Sequence, residues 1–499
     1  MLGSLFSSKP DHPLADPKEA KRVFDALPGR EPAGAIDEAT ALLESLAGVE
    51  DFKPEQRLAL VLQLDEAAIV PARRLGREYV SARLGRPQEQ SLWHANRDYW
   101  ATLIAAYDDS LRRFDANEKG AEAMKPALPL LYSRLLNAAR QRLKWEQFRY
   151  GPVDNALWQT MGHVYLAAAD KRLADKAVDL YPGGGAATTV AGQYLKALVF
   201  HASSMDNLLP VEIELAQHLI SHFLPRFVFT AEPRPDNVYW VDAARPVPPA
   251  RLARPPEISP TLRFFNSIPA VEAIEQLRLR IGRDGSVPAE VNLGGQYSVA
   301  AVLPVLDHLA MCWSPKPPMR KDARHRVKSR LAVVHGVSEI HHQLQGHSEF
   351  GESESWVVDD VSLGGMSAKM SLGTQASGDW IRIGALIGLQ PEGGGNWLVG
   401  MVRRFSRDSE SVGSVGIETL SKSPRAIVAD AGGLQTEGVL LDAPQQGDSV
   451  RVALPAASWE DGVSLLFPLD GARVRLFPEA ELEATPDMVI GRYFVQTVD

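Results

Sequence analysis

The chain is poor in cysteine, with Cys312 alone among 499 residues, which excludes an intrachain disulfide. Cys312 falls in an apolar helical pattern, where a thiol packs as a small apolar group, and no nucleophile signature surrounds it. Long apolar runs are missing as well: none approaches the roughly 18 residues that a membrane span requires. The N-terminus shows no charged start, apolar core and small-residue cleavage site. The expectation is a cytoplasmic protein with no stable membrane insertion. There is no basic excess, since the net charge is -9, and this argues against broad adhesion to nucleic acid or anionic lipid. The glycine-rich stretches at Gly282–Ser286 and Pro182–Ala187 lack the GK[ST] that completes a phosphate loop, and read as turns. With no serine–histidine–acid grouping and no paired carboxylates in a recognisable motif, the chain is not expected to be an enzyme or to carry a cofactor.

What is present is ordinary globular material, 45% hydrophobic and 23% charged, in a chain long enough for two to four domains. The first part reads as helix. Leu58, Val61, Leu62 and Asp65 recur at helical spacing. Leu208, Val211, Leu215 and Leu219 form a second stripe, with Pro210 near its start and Pro225 as its stop. Trp93, Trp100, Trp158, Tyr165 and Tyr194 sit within such patterns and are expected in cores. From 231 to 260 many prolines, among them Pro233, Pro246 and Pro255, block continuous helix and suggest a connector. Helical spacing resumes at Val271, Ile274, Leu277 and Ile281, and again at Val302, Val305, Leu306 and Leu309. No repeat of fixed period marks the region as a solenoid.

Beyond Pro318 short β-branched runs separated by glycine and serine turns replace the helical pattern. Gly393–Gly395 between two apolar runs predicts a hairpin loop. The expected architecture is multidomain α + β: a helical domain over 1–230, a connector over 231–260, continuing helix over 261–315, a six-stranded antiparallel β-barrel over 316–423 and a small C-terminal β module over 424–499.

Two segments of the β half can hold an anionic ligand. In RKDAR, Arg320 and Arg324 stand four apart in an irregular stretch after prolines, and each planar guanidinium can grip a phosphate or a guanine edge, or stack on a base. In DVSLGG, Asp360 offers a carboxylate, Ser362 a hydroxyl, and Gly365 lets backbone come close. Donors beside an acceptor suit guanine, whose N1 and N2 hydrogens need an acceptor while O6 and N7 need donors.

RxxxR followed by [D/N]xSxxG on an adjacent strand resembles the signature of PilZ domains, six-stranded barrels that bind cyclic di-GMP. The resemblance spans about Met319 to Leu420 and includes a closing strand at Gly413–Leu420. It implies that Arg320 and Arg324 contact phosphates and guanine faces, Asp360 a guanine edge, and Ser362 a phosphate. Arg326 joins the ligand-binding set, and with Arg330 it forms a second RxxxR. The first register is preferred because it leaves VKSRLAVVHG for the first strand. The 35 residues between Arg324 and Asp360 exceed the family's usual spacer and suggest a hairpin extended through His341, His342 and His347. These histidines lack the i, i+4 spacing of a helical zinc site and read as a polar tip. The implied function is a cyclic di-GMP receptor whose occupancy changes the arrangement with the helical domain and so a protein partner, in motility, attachment or exopolysaccharide production. The alternatives are a PilZ-like docking scaffold that binds no nucleotide, and a nucleic-acid contact through the basic segment.

Overall fold

The computed structural model describes residues 10–81, 84–316, 323–346, 353–372 and 380–498. The chain forms two compact units. The first takes 1–149, 153–205 and 210–318; the second takes 319–499 and two short segments, 150–152 and 206–209.

In the first unit the helices are α1 (Pro17–Ala26), α2 (Pro32–Ala47), α3 (Pro54–Ser81), α4 (Arg86–Asp115), α5 (Leu128–Phe148), α6 (Asn155–Asp170), α7 (Val190–Ala202) and α8 (Pro210–Phe223). Local chemistry sets their starts. Asp16 accepts from the Lys18 and Glu19 amides ahead of α1, and Thr189 from the Gly192 amide ahead of α7, so orphan donors of each first turn are satisfied. Helix α5 is the hub, packed against α4, α6, α7 and α8, and most of its residues are buried, including Arg134, Arg140 and Lys144. Trp93, Trp100, Trp158, Tyr165 and Tyr194 all lie in the core. Leu58, Val61 and Asp65 are buried on α3. On α8 the buried stripe includes Ile213, Leu215 and Leu219, whereas Val211, expected on it, is exposed.

The expected connector is instead partly sheet. Strands β1 (Val228–Thr230), β2 (Tyr239–Asp242), β3 (Ala250–Arg251) and β4 (Leu262–Asn266) make an antiparallel sheet in the order β1-β4-β2-β3. The prolines that argued against helix fall in its loops, where a missing N–H breaks no ladder. Helices α9 (Ile268–Asp284) and α10 (Val299–Trp313) follow. Hydrogen bonds from Arg251 to the Ser314 carbonyl (2.8 Å) and from Ser267 to the Trp313 carbonyl (2.6 Å) tie the sheet to α10. Cys312 is buried on α10.

Lys144 on α5 and Glu214 on α8 form a nearly buried pair at 2.7 Å. Burial alone would raise the Glu214 carboxyl, but Lys144 and His218 hold it down at about 2, against 4.5 ordinarily. A depressed carboxyl adds stability that is present above its unfolded value and lost as pH falls towards its folded one, here between about 4.5 and 2. The shift corresponds to roughly 3 kcal/mol. Glu214→Gln is therefore expected to flatten the acid limb of stability against pH, read by urea unfolding across that window.

The second unit contains two closed antiparallel barrels. The first runs β5 (His325–His335), α11 (Val337–Leu344), β6 (Glu354–Val361), β7 (Gly365–Ser371), β8 (Leu386–Pro391), β9 (Leu398–Arg407) and β10 (Val412–Ser421), with strand order β10-β7-β6-β5-β8-β9. The second is built from β11 (Arg425–Ala431), β12 (Leu434–Leu440), β13 (Ser449–Pro455), β14 (Leu465–Leu469), β15 (Ala472–Ala484) and β16 (Met488–Val498), ordered β11-β12-β13-β16-β15-β14. The expected β module is thus a complete barrel. Leu331, Val333, Trp356, Val358 and Phe405 fill the first barrel, and Ile427, Val452, Phe467 and Leu476 the second. A separate apolar layer joins them, with Val334, Ile340, Leu386 and Met401 meeting Val439, Ala453 and Ile490. Gly393, at φ +76°, turns the β8–β9 hairpin as its left-handed conformation requires.

Candidate functional site

Strands β5 and β6 pair antiparallel with Arg326 opposite Asp360. Along β6, Trp356 and Val358 are buried while Ser355, Val357 and Asp359 are exposed. A bulge between Val358 and Asp360 breaks the alternation of side chains along β6, so that Val361 pairs with the buried Met366 while Asp360 pairs with Ser367 and stands at the barrel rim with its carboxylate partly in water. Arg324, immediately before β5, reaches it with Nη1 donating to Oδ1 at 2.8 Å. The guanidinium is more than a third exposed. An exposed pair of this kind is worth about 0–1 kcal/mol, so it holds donor and acceptor side by side at little cost to their release. Arg326 lies on the same strand end and is exposed. Arg330, of the second RxxxR, sits within β5 opposite Val357 and donates to Ser355 Oγ at 3.2 Å. The strand begins at His325, earlier than the VKSRLAVVHG expectation. Arg320 and His347 lie outside the described residues.

Ser362 and Gly365 close the β6–β7 turn. The Ser362 amide donates to the Gly365 carbonyl at 2.7 Å and its hydroxyl to the same oxygen at 3.0 Å. The Gly364 carbonyl accepts from the Thr419 amide at 3.0 Å, which fastens the turn to β10. Gly365 is needed for a reason apart from ligand access: a Cβ there would come within 2.2 Å of the Ile417 carbonyl oxygen. The neighbour is backbone and cannot swing aside. Gly365→Ala is expected to destabilise the barrel by about 1–3 kcal/mol, visible as a lowered thermal midpoint.

Helix α11 occupies part of the expected β5–β6 hairpin extension and changes the surroundings of its histidines. His341 is buried rather than at a polar tip. His341 Nδ1 lies 3.9 Å and His342 Nε2 3.5 Å from the Glu437 carboxylate of β12, and ligand atoms of the three residues fall within 4.8 Å of one another. Such a set can hold a metal ion. Spacing along the chain could not reveal it, because Glu437 comes from the other barrel.

The β5–β6 rim brings Arg324, Arg326, Asp360 and the Ser362–Gly365 turn together, an array of cationic donors beside one carboxylate at a solvent-facing edge. Residues 18–234 match the family described as cyclic-di-GMP receptor FimW, N-terminal domain. No curated protein matches the chain. The matched span runs from α1 to β1 and lies wholly before the barrel that carries the arginine and aspartate motif. No helix among the described residues is long and apolar enough to cross a membrane.

Proposed function

We propose that this protein is a cyclic di-GMP receptor that takes the nucleotide at the β5–β6 rim of a PilZ-like barrel. The observation that carries the reading is the Arg324–Asp360 pair at 2.8 Å, a forked donor and an acceptor set side by side as guanine and phosphate together demand. The similarity of residues 18–234 to the N-terminal domain of a cyclic di-GMP receptor supports the same ligand from a different part of the chain. In this reading Arg324 leaves Asp360 for the nucleotide. Asp360 then accepts from guanine N1 and N2, and Arg320 and Arg326 cover phosphates and the second base. Ser362 and the turn amides border a phosphate.

The protein acts as an effector without catalysis, in the cytoplasm. Nucleotide occupancy changes how the helical unit is presented to a protein partner, in control of motility, attachment or exopolysaccharide. A ligand moves such an equilibrium only by its differential affinity, so a tenfold shift needs about 1.4 kcal/mol. A second reading draws on the satisfied state of the motif: Asp360 already has Arg324, and the Ser362 hydroxyl already has the Gly365 carbonyl. The barrel then serves as a scaffold without nucleotide. Calorimetric titration of the full chain with cyclic di-GMP, with GTP and cyclic di-AMP as controls, separates the two. Selective saturable heat establishes the receptor, and its absence leaves the scaffold.

A further inference from the structure

Helices α3, α5, α7 and α8, with the loops around Gly184 and Gly294, enclose a cavity of about 660 Å³ within the first unit. That volume lies in the range of small-molecule sites. Its lining is strongly one-signed. Arg73 and Arg77 come from α3, Arg140 and Lys144 from α5, and Lys196 from α7, against the single carboxylate of Glu214. Lys144 already holds that carboxylate.

Arg140 is the central anomaly. Its guanidinium is 4% exposed, yet its hydrogen bonds go to neutral amides: Nη1 to Gln217 Oε1 at 2.5 Å and Nη2 to Asn137 Oδ1 at 2.8 Å. Its Nε has no acceptor among the described residues. Burial lowers its pKa to about 10. Lys196 is half-buried on α7, and its ammonium is pushed well below the usual lysine range first by desolvation and then by Arg140 and Arg73. Buried charges are normally paired, and like charges gathered in a desolvated cleft oppose folding unless something else compensates them. Clusters of this type mark binding sites more often than random surface does.

Two further features narrow the ligand. The buried amide oxygens of Gln141 and Gln193 accept no hydrogen bond from the described residues, and both residues line the cavity; they call for ligand donors beside its negative charge. Tyr181, Tyr297 and Trp100 add aromatic surface, with Arg73 set 6.0 Å from the Tyr181 ring centroid. Anionic groups, hydrogen-bond donors and a flat apolar part occur together in phosphorylated nucleosides.

We infer that this cavity is a second ligand site, for a phosphorylated small molecule of nucleotide size, distinct from the barrel rim. The anion would sit between Arg140, Lys196 and Arg73, adding to the negative charge of Glu214, which Lys144 already holds, with its donors facing Gln141 and Gln193. The shared chemistry is phosphate, whether from a free polyphosphate, a mononucleotide or cyclic di-GMP itself.

The test uses the full chain, with pyrophosphate, ATP and cyclic di-GMP as probes, followed by equilibrium binding and thermal unfolding. At least one probe is expected to bind saturably and raise the unfolding midpoint, as a ligand of the native state must. Lys196→Met and Arg73→Gln are each expected to weaken that probe about tenfold or more, a loss of the order of one charge-assisted contact. Without ligand, Lys196→Met is expected to raise the midpoint, because it removes a repelled ammonium. If cyclic di-GMP binding falls in these cavity variants and holds in Asp360→Ala, the cavity site stands and the barrel rim loses its assigned nucleotide. Probe binding that is absent, or untouched by both cavity variants, overturns the inference. So does a lower ligand-free midpoint in Lys196→Met, which would make the lysine a structural support.

Discussion

Arg324→Ala and Asp360→Ala are each expected to weaken cyclic di-GMP binding by about 10- to 100-fold, since a hydrogen bond to a charged group contributes roughly 1.5–3 kcal/mol. The fold should be indifferent to either change, because the two side chains are partly exposed and their mutual attraction in water is small. Thermal midpoints close to that of the parent chain would show that the lost affinity is local. Conservative variants separate geometry from charge. Arg324→Lys keeps the cation but not the planar fork, and is expected to recover little. Asp360→Asn replaces one accepting oxygen by a donor that opposes the guanine N1 and N2 hydrogens, and should behave like alanine or worse. Rising salt should reduce affinity in the parent chain and reduce it less in Arg324→Ala, since the variant has one fewer screened contact. Calorimetry reads all of these. Undiminished binding in both alanine variants would remove the nucleotide from the β5–β6 rim.

The rim was legible along the chain because its parts are short local segments. RKDAR and DVSLGG each occupy a few consecutive residues, and a single strand pairing, Arg326 opposite Asp360, is enough to join them. The helical first part and the strand-rich second part were legible for a similar reason: periodicity is local, and it changes at the SPKPP stretch. Closure of the C-terminal strands was not. It depends on β13 pairing with β16 and β11 with β14, contacts between distant segments that alternation does not specify. The proline-rich stretch misled because proline excludes helix interiors without excluding sheet loops, and β2 and β3 are only a few residues long. The lining of the helical cavity escaped for yet another reason. Arg73, Arg140, Lys196 and Glu214 come from four helices, and each read alone is an unremarkable polar position. The signal that was available lies in α5, where Arg134, Asn137, Arg140 and Lys144 interrupt apolar positions at helical spacing. On a helix buried over most of its surface, such residues must find partners inside.

Removing the Asp65 carboxylate is expected to produce the largest loss of stability in the helical unit. Asp65 is completely buried on α3 and accepts from Tyr107 Oη at 2.6 Å and from Tyr181 Oη at 2.9 Å. Arg134 of α5 approaches it at 3.7 Å and is itself 1% exposed. The same guanidinium donates to the Leu180 and Leu62 carbonyls and to Glu66, so α3, α4, α5 and the loop before α7 meet at one polar knot. Asp65→Ala strands two buried phenols and leaves Arg134 with less compensation, at a cost of about 3–5 kcal/mol. Asp65→Asn keeps an acceptor for one phenol and should cost about 1–3 kcal/mol. Their pH dependence separates charge from hydrogen bonding. Burial raises the Asp65 carboxyl above its ordinary value even though Arg134 and the phenols pull it down. A group raised in the folded state contributes stability that is complete below its unfolded value, near 4, and is lost as pH rises through the folded one. Asparagine does not titrate. The gap in unfolding free energy between the parent chain and Asp65→Asn should therefore be widest in acid and narrow towards neutral pH. A gap that widens instead would mean that ionised Asp65 is favoured by Arg134 more than burial opposes it.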